Sequence, residues 1–379
     1  HGTDAGGAGQ HIEIDLRACR LRRLGLILPV CRLRFRGAAL RRRQSFSVRR
    51  RRPFCWTKRD FTAINDIHME QLHGILIIDK PGGMSSAQCV GRIKRLGQKK
   101  IGHAGTLDPM ATGVLIVLLG HATKLSGYLL EGGEKRYEGV ARLGLVTDTW
   151  DAEGRTLEER PVPSADSVEG RALEDAVRRE VAAWTEVTEQ PVPPYSAAKH
   201  QGQPLYRLAR AGREVPQKTK AIHISHAALQ SVRLPDVRFR VACSSGSYIR
   251  SLAHSLGMRL GCGAALTELT RLYSHPFGLD DAHHLDAVLA EPEALPGRVL
   301  PLSAALPDWP VRTVNPVEEA AQRNGRPLFH RPDFGEFRAG SRALMQNAAG
   351  EPLALAEARE QDGRPVWVML RGLFTPSTP

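Results

Sequence analysis

Six consecutive apolar residues, Val114–Leu119, constrain this chain more than any other feature of its sequence. A run of that length without a polar residue has the length of a fully buried strand. It is also the longest apolar run, far short of the ~18 residues a membrane helix needs, so no membrane segment is expected. The 379 residues suffice for about two domains with a sizeable core, and 42% hydrophobic with 25% charged residues is an ordinary globular composition. Six cysteines without a Cys-x-x-Cys pair exclude a disulfide framework and the usual zinc spacing. A reducing, cytoplasmic setting is expected.

The formal net charge is +13, but it is unevenly spread. Residues 1–68 hold 16 Lys and Arg against 5 Asp and Glu, a net +11, which leaves only +2 for the rest. Arginine runs such as Arg49–Arg52 repel themselves and follow no helical or strand period. An RNA-binding arm or a transit peptide would share that composition, although Asp4, Glu13 and Asp15 speak against the transit peptide. The expectation adopted is an unstructured upstream extension, with Met69 just before the first convincing strand.

From Gly74 onward the pattern is regular. Ile75–Ile78 reads as a strand ending in the turn residues Asp79-Lys80-Pro81-Gly82-Gly83. Ser85 or Ser86 can cap a helix carrying Val90, Ile93 and Leu96. Tyr137–Leu145 alternates as a strand, residues 167–184 form an amphipathic helix through Val168, Leu173, Val177, Val181 and Trp184, and Val237–Cys243 alternates again. Ile249, Leu252, Leu256 and Leu260 mark a further helix. Strands and helices without a steady βαβ repeat predict an α+β fold. Pro301, Pro307 and Pro310 suggest a linker over 301–310. Beyond it Arg342–Met345, Leu353–Ala356 and Val366–Leu370 read as strands of a small β-rich domain, 311–373, followed by a tail at 374–379.

The chemistry is most legible between Gly102 and Gly113. Three glycines, Gly102, Gly105 and Gly113, permit tight turns or close approach of a substrate. Pro109 holds Asp108 out of helical conformation. His103 and Asp108 are thus expected on one constrained loop between a helix and a buried strand. The loop ends in no Gly-Lys-Ser/Thr and contains no Gly-x-Gly-x-x-Gly, so it is neither a P-loop nor a dinucleotide fingerprint. Residue types alone leave an acid–base site, a nucleophile site and a capped turn all open.

Together with its neighbours, this loop resembles the catalytic motif of the TruB-type tRNA pseudouridine synthases. The likeness spans most of 72–275. It includes Gly74–Pro81, Ala122-Thr123-Lys124, Lys135-Arg136-Tyr137, Asp151-Ala152-Glu153-Gly154, Pro194–Lys199 and Gly246–Arg250. The resemblance implies a catalytic domain over 69–300 with a mixed, mainly antiparallel central sheet, and a PUA-like RNA-binding domain over 311–373. It implies Asp108 as the essential carboxylate, with Tyr137, Arg250, Tyr248 and Leu269 supporting it. Contacts to RNA are implied for His103, Lys80 and Lys124, and for a clamp at 199–220 with Lys199, Arg207, Arg210, Arg213 and Lys218. That clamp carries six basic residues against Glu214. Departures are few: Ala104 stands where Thr is frequent, Met110 where Leu is, and Ser245 where Lys is.

Such an enzyme would turn a T-loop uridine into pseudouridine, breaking N1–C1′ and forming C5–C1′. That conversion consumes neither an oxidant nor water overall, so no cofactor and no metal are expected. A charged Asp108 could add to the ring or sugar, or remove the C2′ proton. Arg250 would favour its charged form and fix its orientation. The buried base must be extruded into the pocket, with Tyr137 as a stacking surface. The expected partner is the tRNA T-arm, bound by a monomer. A base-removing glycosylase and an RNA chaperone with a vestigial site are the competing functions. The adjacent His283-His284 read as capping or surface residues.

Overall fold

The computed structural model describes residues 71–131 and 133–374. The basic segment 1–68 and residues 375–379 lie outside the described residues.

A nine-stranded mixed sheet forms the frame. Its strands include β1 (Gly74–Lys80), β2 (Ile101–Ala104), β3 (Thr112–Leu119), β4 (Lys135–Leu143), β5 (Ile224–Arg233), β6 (Asp236–Cys243), β7 (Ala264–Ser274) and β8 (His283–His284). The order is β5-β6-β4-β7-β3-β1-β8, with β2 alongside β3. Most pairs are antiparallel; β7–β3 and β1–β8 are parallel. The α+β architecture predicted from the sequence is the one observed, with α1 (Ser86–Lys94), α2 (Val168–Ala182) and α3 (Ile249–Arg259) against the sheet.

The unbroken apolar run is explained by the cores it separates. Along β3, Leu115, Val117 and Leu119 enter one hydrophobic cluster, while Val114, Ile116 and Leu118 enter another on the opposite face. In β1, Leu76 and Ile78 divide from Ile75 and Ile77 in the same way. The second cluster also takes in Leu302, Ala305, Leu306, Leu344, Leu355 and Leu373. Residues 301–310 are therefore not a free linker: Leu302 and Ala305 are buried, because their apolar side chains cover the second face of β1 and β3. A five-stranded sheet follows, from Val311–Thr313 to Arg364–Gly372, with a cluster of its own around Phe334, Met345 and Trp367.

Ser85 caps α1 through a reciprocal box: its hydroxyl accepts from the Gln88 amide at 3.2 Å, and Gln88 Oε1 accepts from the Ser85 amide at 2.8 Å. The expected strand Tyr137–Leu145 begins two residues earlier and stops at Leu143, before Gly144 at φ +80°. Beside the short strands β2 and β8, two long strands were not foreseen. β5 is an edge strand with a mostly half-buried or exposed pattern, and β7 contains Thr267, Glu268, Thr270 and Arg271, which dilute its alternation. His283 and His284 pair with β1; His284 lies at the surface, its Nδ1 3.1 Å from Asp79 Oδ2, and its side chain does not cap the helix that follows.

Candidate active site

The glycine-bearing loop leaves the sheet where β3 changes neighbours. The far half of β3 pairs with β2, and its first residues, Thr112 and Gly113, pair with β7. The true loop is thus 105–111, shorter than the Gly102–Gly113 span expected. His103 does not share it with Asp108: it sits on β2 opposite Val117. The apolar run following the loop recruits Ile101–Ala104 as a partner strand. Gly113 has φ +97°, and a Cβ there would stand 2.3 Å from the Arg271 carbonyl oxygen, so glycine is required for this strand crossing.

Three buried polar groups fix the loop. Ser86 Oγ accepts from the Leu107 amide at 2.8 Å and donates to the Leu107 carbonyl at 3.1 Å. Lys80 Nζ donates to the carbonyls of Pro81, Met84 and Pro109 at 2.8, 2.7 and 3.2 Å. Arg271 donates to the carbonyls of Val114 at 2.7 Å and Gly105 at 2.9 Å. Lys80 is fully buried, which corrects the expectation that it contacts RNA: its ammonium is enclosed among loop carbonyls and holds the residue after Asp108.

Asp108 faces Arg250, which reaches it from the first turn of α3. Nε donates to Oδ2 at 2.9 Å and Nη2 to Oδ1 at 3.1 Å, a bidentate pair. Arg250 also donates to the carbonyls of Thr149 at 2.8 Å and Tyr195 at 3.0 Å, and lies 3.4 Å from Asp151 Oδ2. One buried guanidinium therefore joins four chain segments. Asp151 is itself buried; its carboxyl is pushed above the usual range by burial, opposed by the Thr149 hydroxyl and by Arg250.

The cavity over this pair has a volume of about 730 Å³. Asp108, Tyr137, Tyr248, Arg250 and Leu269 all line it, as does Arg210. Tyr137 is buried, and burial raises its hydroxyl's pKa, which keeps the phenol neutral. Tyr248 is raised likewise, first by burial. His103, Lys80, Lys124, Lys199, Arg207, Arg213 and Lys218 are not among the lining residues. The buried Nδ1 of His103 has no hydrogen-bond partner among the described residues, and burial, then Arg271, lowers its pKa. Lys124 Nζ donates to the carbonyls of Gly372 at 2.6 Å and Phe374 at 3.1 Å, tying it to the last described turn of the C-terminal sheet. In the 199–220 segment, Leu205–Arg210 forms a short helix with Leu205 and Leu208 buried, and Lys218 Nζ donates to the Lys199 carbonyl at 2.6 Å.

Sequence reasoning gave no role to Lys135, Asp151 or Arg271, and took Lys220 only as one of the six basic residues of the 199–220 clamp. Lys135 and Arg271 carried a usable signal: each lies two residues from an expected site residue on the same strand, Tyr137 and Leu269, and so on the same face. No comparable periodic signal marks Asp151 or Lys220.

Residues 93–249 match the TruB family pseudouridylate synthase (N terminal domain). Over 308 residues the chain is 59% identical to a protein named tRNA pseudouridine synthase B from Nitratidesulfovibrio vulgaris (strain DSM 19637 / Miyazaki F), covering 80% of this chain and 98% of the relative. The chain belongs to the TruB family. A TruB relative from Oleidesulfovibrio alaskensis, with the same name, is 59% identical over 82% of this chain and 99% of its own length. At 22% identity, a chain from the structure of an H/ACA RNP bound to a substrate RNA containing 2′-deoxyuridine superposes with a TM-score of 0.55, covering 80% of this chain and 86% of that one. A chain of the archaeal box H/ACA sRNP Nop10–Cbf5 complex gives 0.53 at 23% identity, over 84% and 88%. These two show that the TruB chain shares its fold with them. No helix among the described residues is long and apolar enough to cross a membrane.

Proposed function

We propose that this chain is a tRNA pseudouridine synthase that isomerises the T-loop uridine at position 55, with Asp108 as the catalytic carboxylate. The observation that carries the proposal is the bidentate Asp108–Arg250 pair at the floor of a cavity walled by Tyr137 and Leu269. The guanidinium orients both carboxylate oxygens, and each retains a lone pair for the substrate. Tyr137 offers a flat, neutral face for the uracil of an extruded nucleotide, and Leu269 supplies an apolar wall beside it. Asp108 then acts at C1′, at the ring, or on the C2′ proton, while N1–C1′ breaks, the uracil turns and C5–C1′ forms. C5 loses a proton and N1 gains one, so mass is conserved.

Lys199, Arg207, Arg210, Arg213 and Lys218 provide phosphate contacts to the T-arm, and Arg210 does so at the cavity rim. The β-rich segment 311–373 serves as a PUA-like RNA-binding domain beside the 69–300 catalytic domain. The enzyme works as a cytoplasmic monomer, consistent with a tRNA substrate. Incubating unmodified tRNA with wild-type and Asp108→Asn protein and mapping pseudouridine tests the proposal. Product at position 55 with wild type only is expected; free uracil in place of pseudouridine would instead indicate a glycosylase.

A further inference from the structure

Most deeply buried cations around the catalytic loop are well partnered. Lys80 donates to three carbonyls, Arg271 to loop carbonyls, and Arg250 to Asp108. Lys135 differs. It starts β4 on the same face as Tyr137, lines the cavity and is only 7% exposed, yet its ammonium has a single hydrogen bond, to Ser245 Oγ at 3.1 Å. Two of its three donors are left over, and it forms no ion pair with a carboxylate among the described residues.

A second ammonium, that of Lys220, lines the same cavity and likewise has no ion-pair partner among the described residues. Both lysines lie against glycine backbone. A Cβ on Gly105 would stand 3.3 Å from Lys135 Nζ, and one on Gly246 would stand 1.9 Å from Lys220 Nζ. Burying Lys135 without an anion is costly, and the exposed Lys220 adds a second unpaired positive charge at the same cavity wall; together they form an anion site awaiting its charge.

We propose that Lys135 and Lys220 receive a backbone phosphate of the nucleotide whose base enters the cavity beside Asp108 and Tyr137. The inference rests on the chain being an RNA-modifying enzyme and adds a subsite that reads charge rather than base. Burial first, then the charges of Arg271 on β7 and Lys220, bring the pKa of Lys135 down to about 8, with Cys243 on β6 acting against them. A seated phosphate acts in the opposite sense and holds the proton on Lys135.

The test is a cycle between protein and RNA charge, run in an Asp108→Asn background so that T-arm RNA is held unreacted. Affinity is measured for proteins with Lys135 or Lys135→Met, against RNA with normal phosphates or one neutral methylphosphonate on the 5′ or the 3′ side of the target uridine. Lys135→Met is expected to weaken binding about tenfold, as is a methylphosphonate at one of the two positions. Combining them should cost no more than either alone. Multiplicative losses at both positions, or unchanged affinity in Lys135→Met, overturn the proposal.

A merely structural lysine would give a variant of lower melting temperature with losses uncoupled to the methylphosphonate. The proposal instead expects a melting temperature at pH 7 equal to or above the parent's. Should Lys135→Met fail to fold, the same cycle with Lys220→Met replaces it. In the parent protein, affinity for normal RNA should fall between pH 8 and 9 while that for the methylphosphonate RNA stays level; parallel curves refute the assignment. Wild type that makes no pseudouridine while the cycle still couples would reject the function proposed above and leave the phosphate site standing.

Discussion

Replacing Arg250 by Met tests whether the site is held together by one cation. The substitution keeps an unbranched apolar stem in place of the arginine's and removes two bonds to Asp108, two to main-chain carbonyls and the contact with Asp151. Asp108 faces the cavity with its side chain 32% exposed, and water can replace part of what it loses. Asp151, at 7%, has no such recourse. One buried carboxylate that keeps its hydrogen bonds from Thr149 Oγ1 and the Glu153 amide but loses its countercharge therefore dominates, at the lower end of the usual range, about 3 kcal/mol. For the roughly 300 described residues, an unfolding entropy of about 2.1 cal/mol/K per residue converts this to ~5 °C in melting temperature.

The deficit should depend on pH with a definite sign. Burial already raises the pKa of Asp151, and losing Arg250 removes a group that lowers it. Protonation relieves the buried charge, so the deficit is full above that raised pKa and narrows as pH falls through it. Thermal melts of both proteins from pH 7 down to pH 4, alongside single-turnover pseudouridine formation, follow the two effects. Activity lost with no change in melting temperature at any pH would refute the strut and leave Arg250 acting on substrate alone. A deficit that widens on acidification would refute the assignment to Asp151.

Three more outcomes follow from the same geometry. Gly113→Ala cannot be accommodated at φ +97° with a Cβ 2.3 Å from the Arg271 carbonyl, so both melting temperature and activity should fall sharply; circular-dichroism melts beside an activity assay check this. Neutralising Arg207, Arg210 and Lys218 together should weaken T-arm binding and reduce the slope of log affinity against log salt by about 2, whereas an unaltered slope would remove this segment from the phosphate contacts. Lys135 has a folded-state pKa of about 8 against 10.5 as the ordinary value, so its burial penalty is complete below pH 8 and fades toward pH 10.5. Wild-type stability should therefore gain about 3 kcal/mol from this group across that window, a rise absent from denaturant titrations of Lys135→Met.

The sequence was most informative where one physical requirement acts alone. Val114–Leu119 had to be a buried strand, and the structure supplies a core on each face. The Ser85 cap and the apolar spacing of Ile249 to Leu256 likewise match α1 and α3. Legibility failed where a long-range partner decided the outcome. His103 looked like a loop residue until β3 offered Ile101–Ala104 a strand to pair with. Lys80 looked like a surface cation beside a turn, but the fold closes the carbonyls of Pro81, Met84 and Pro109 around it. Residues 301–310 read as a linker from their prolines, yet Leu302, Ala305 and Leu306 cover a sheet face some 200 residues distant in sequence.

The same limit applies within the site. Resemblance drew attention to Asp108 and Arg250, while periodicity alone could not bring them together, because their meeting depends on α3 aiming one side chain at a loop 142 residues earlier. Lys135 and Arg271 were given no role because basic residues in alternating strands usually face solvent. Here they face inward, Arg271 to loop carbonyls and Lys135 to the cavity.

The central claim is that the Asp108 carboxylate carries out the isomerisation. Asp108→Asn keeps the shape and can still accept a hydrogen bond from Arg250, but it removes the negative charge. Position-resolved pseudouridine mapping of unmodified tRNA after prolonged incubation is the most direct measurement. Modification at uridine 55 by wild type and none above background by Asp108→Asn, with both proteins melting at similar temperatures, is the predicted result. Pseudouridine accumulating at that position with the amide variant would contradict the account.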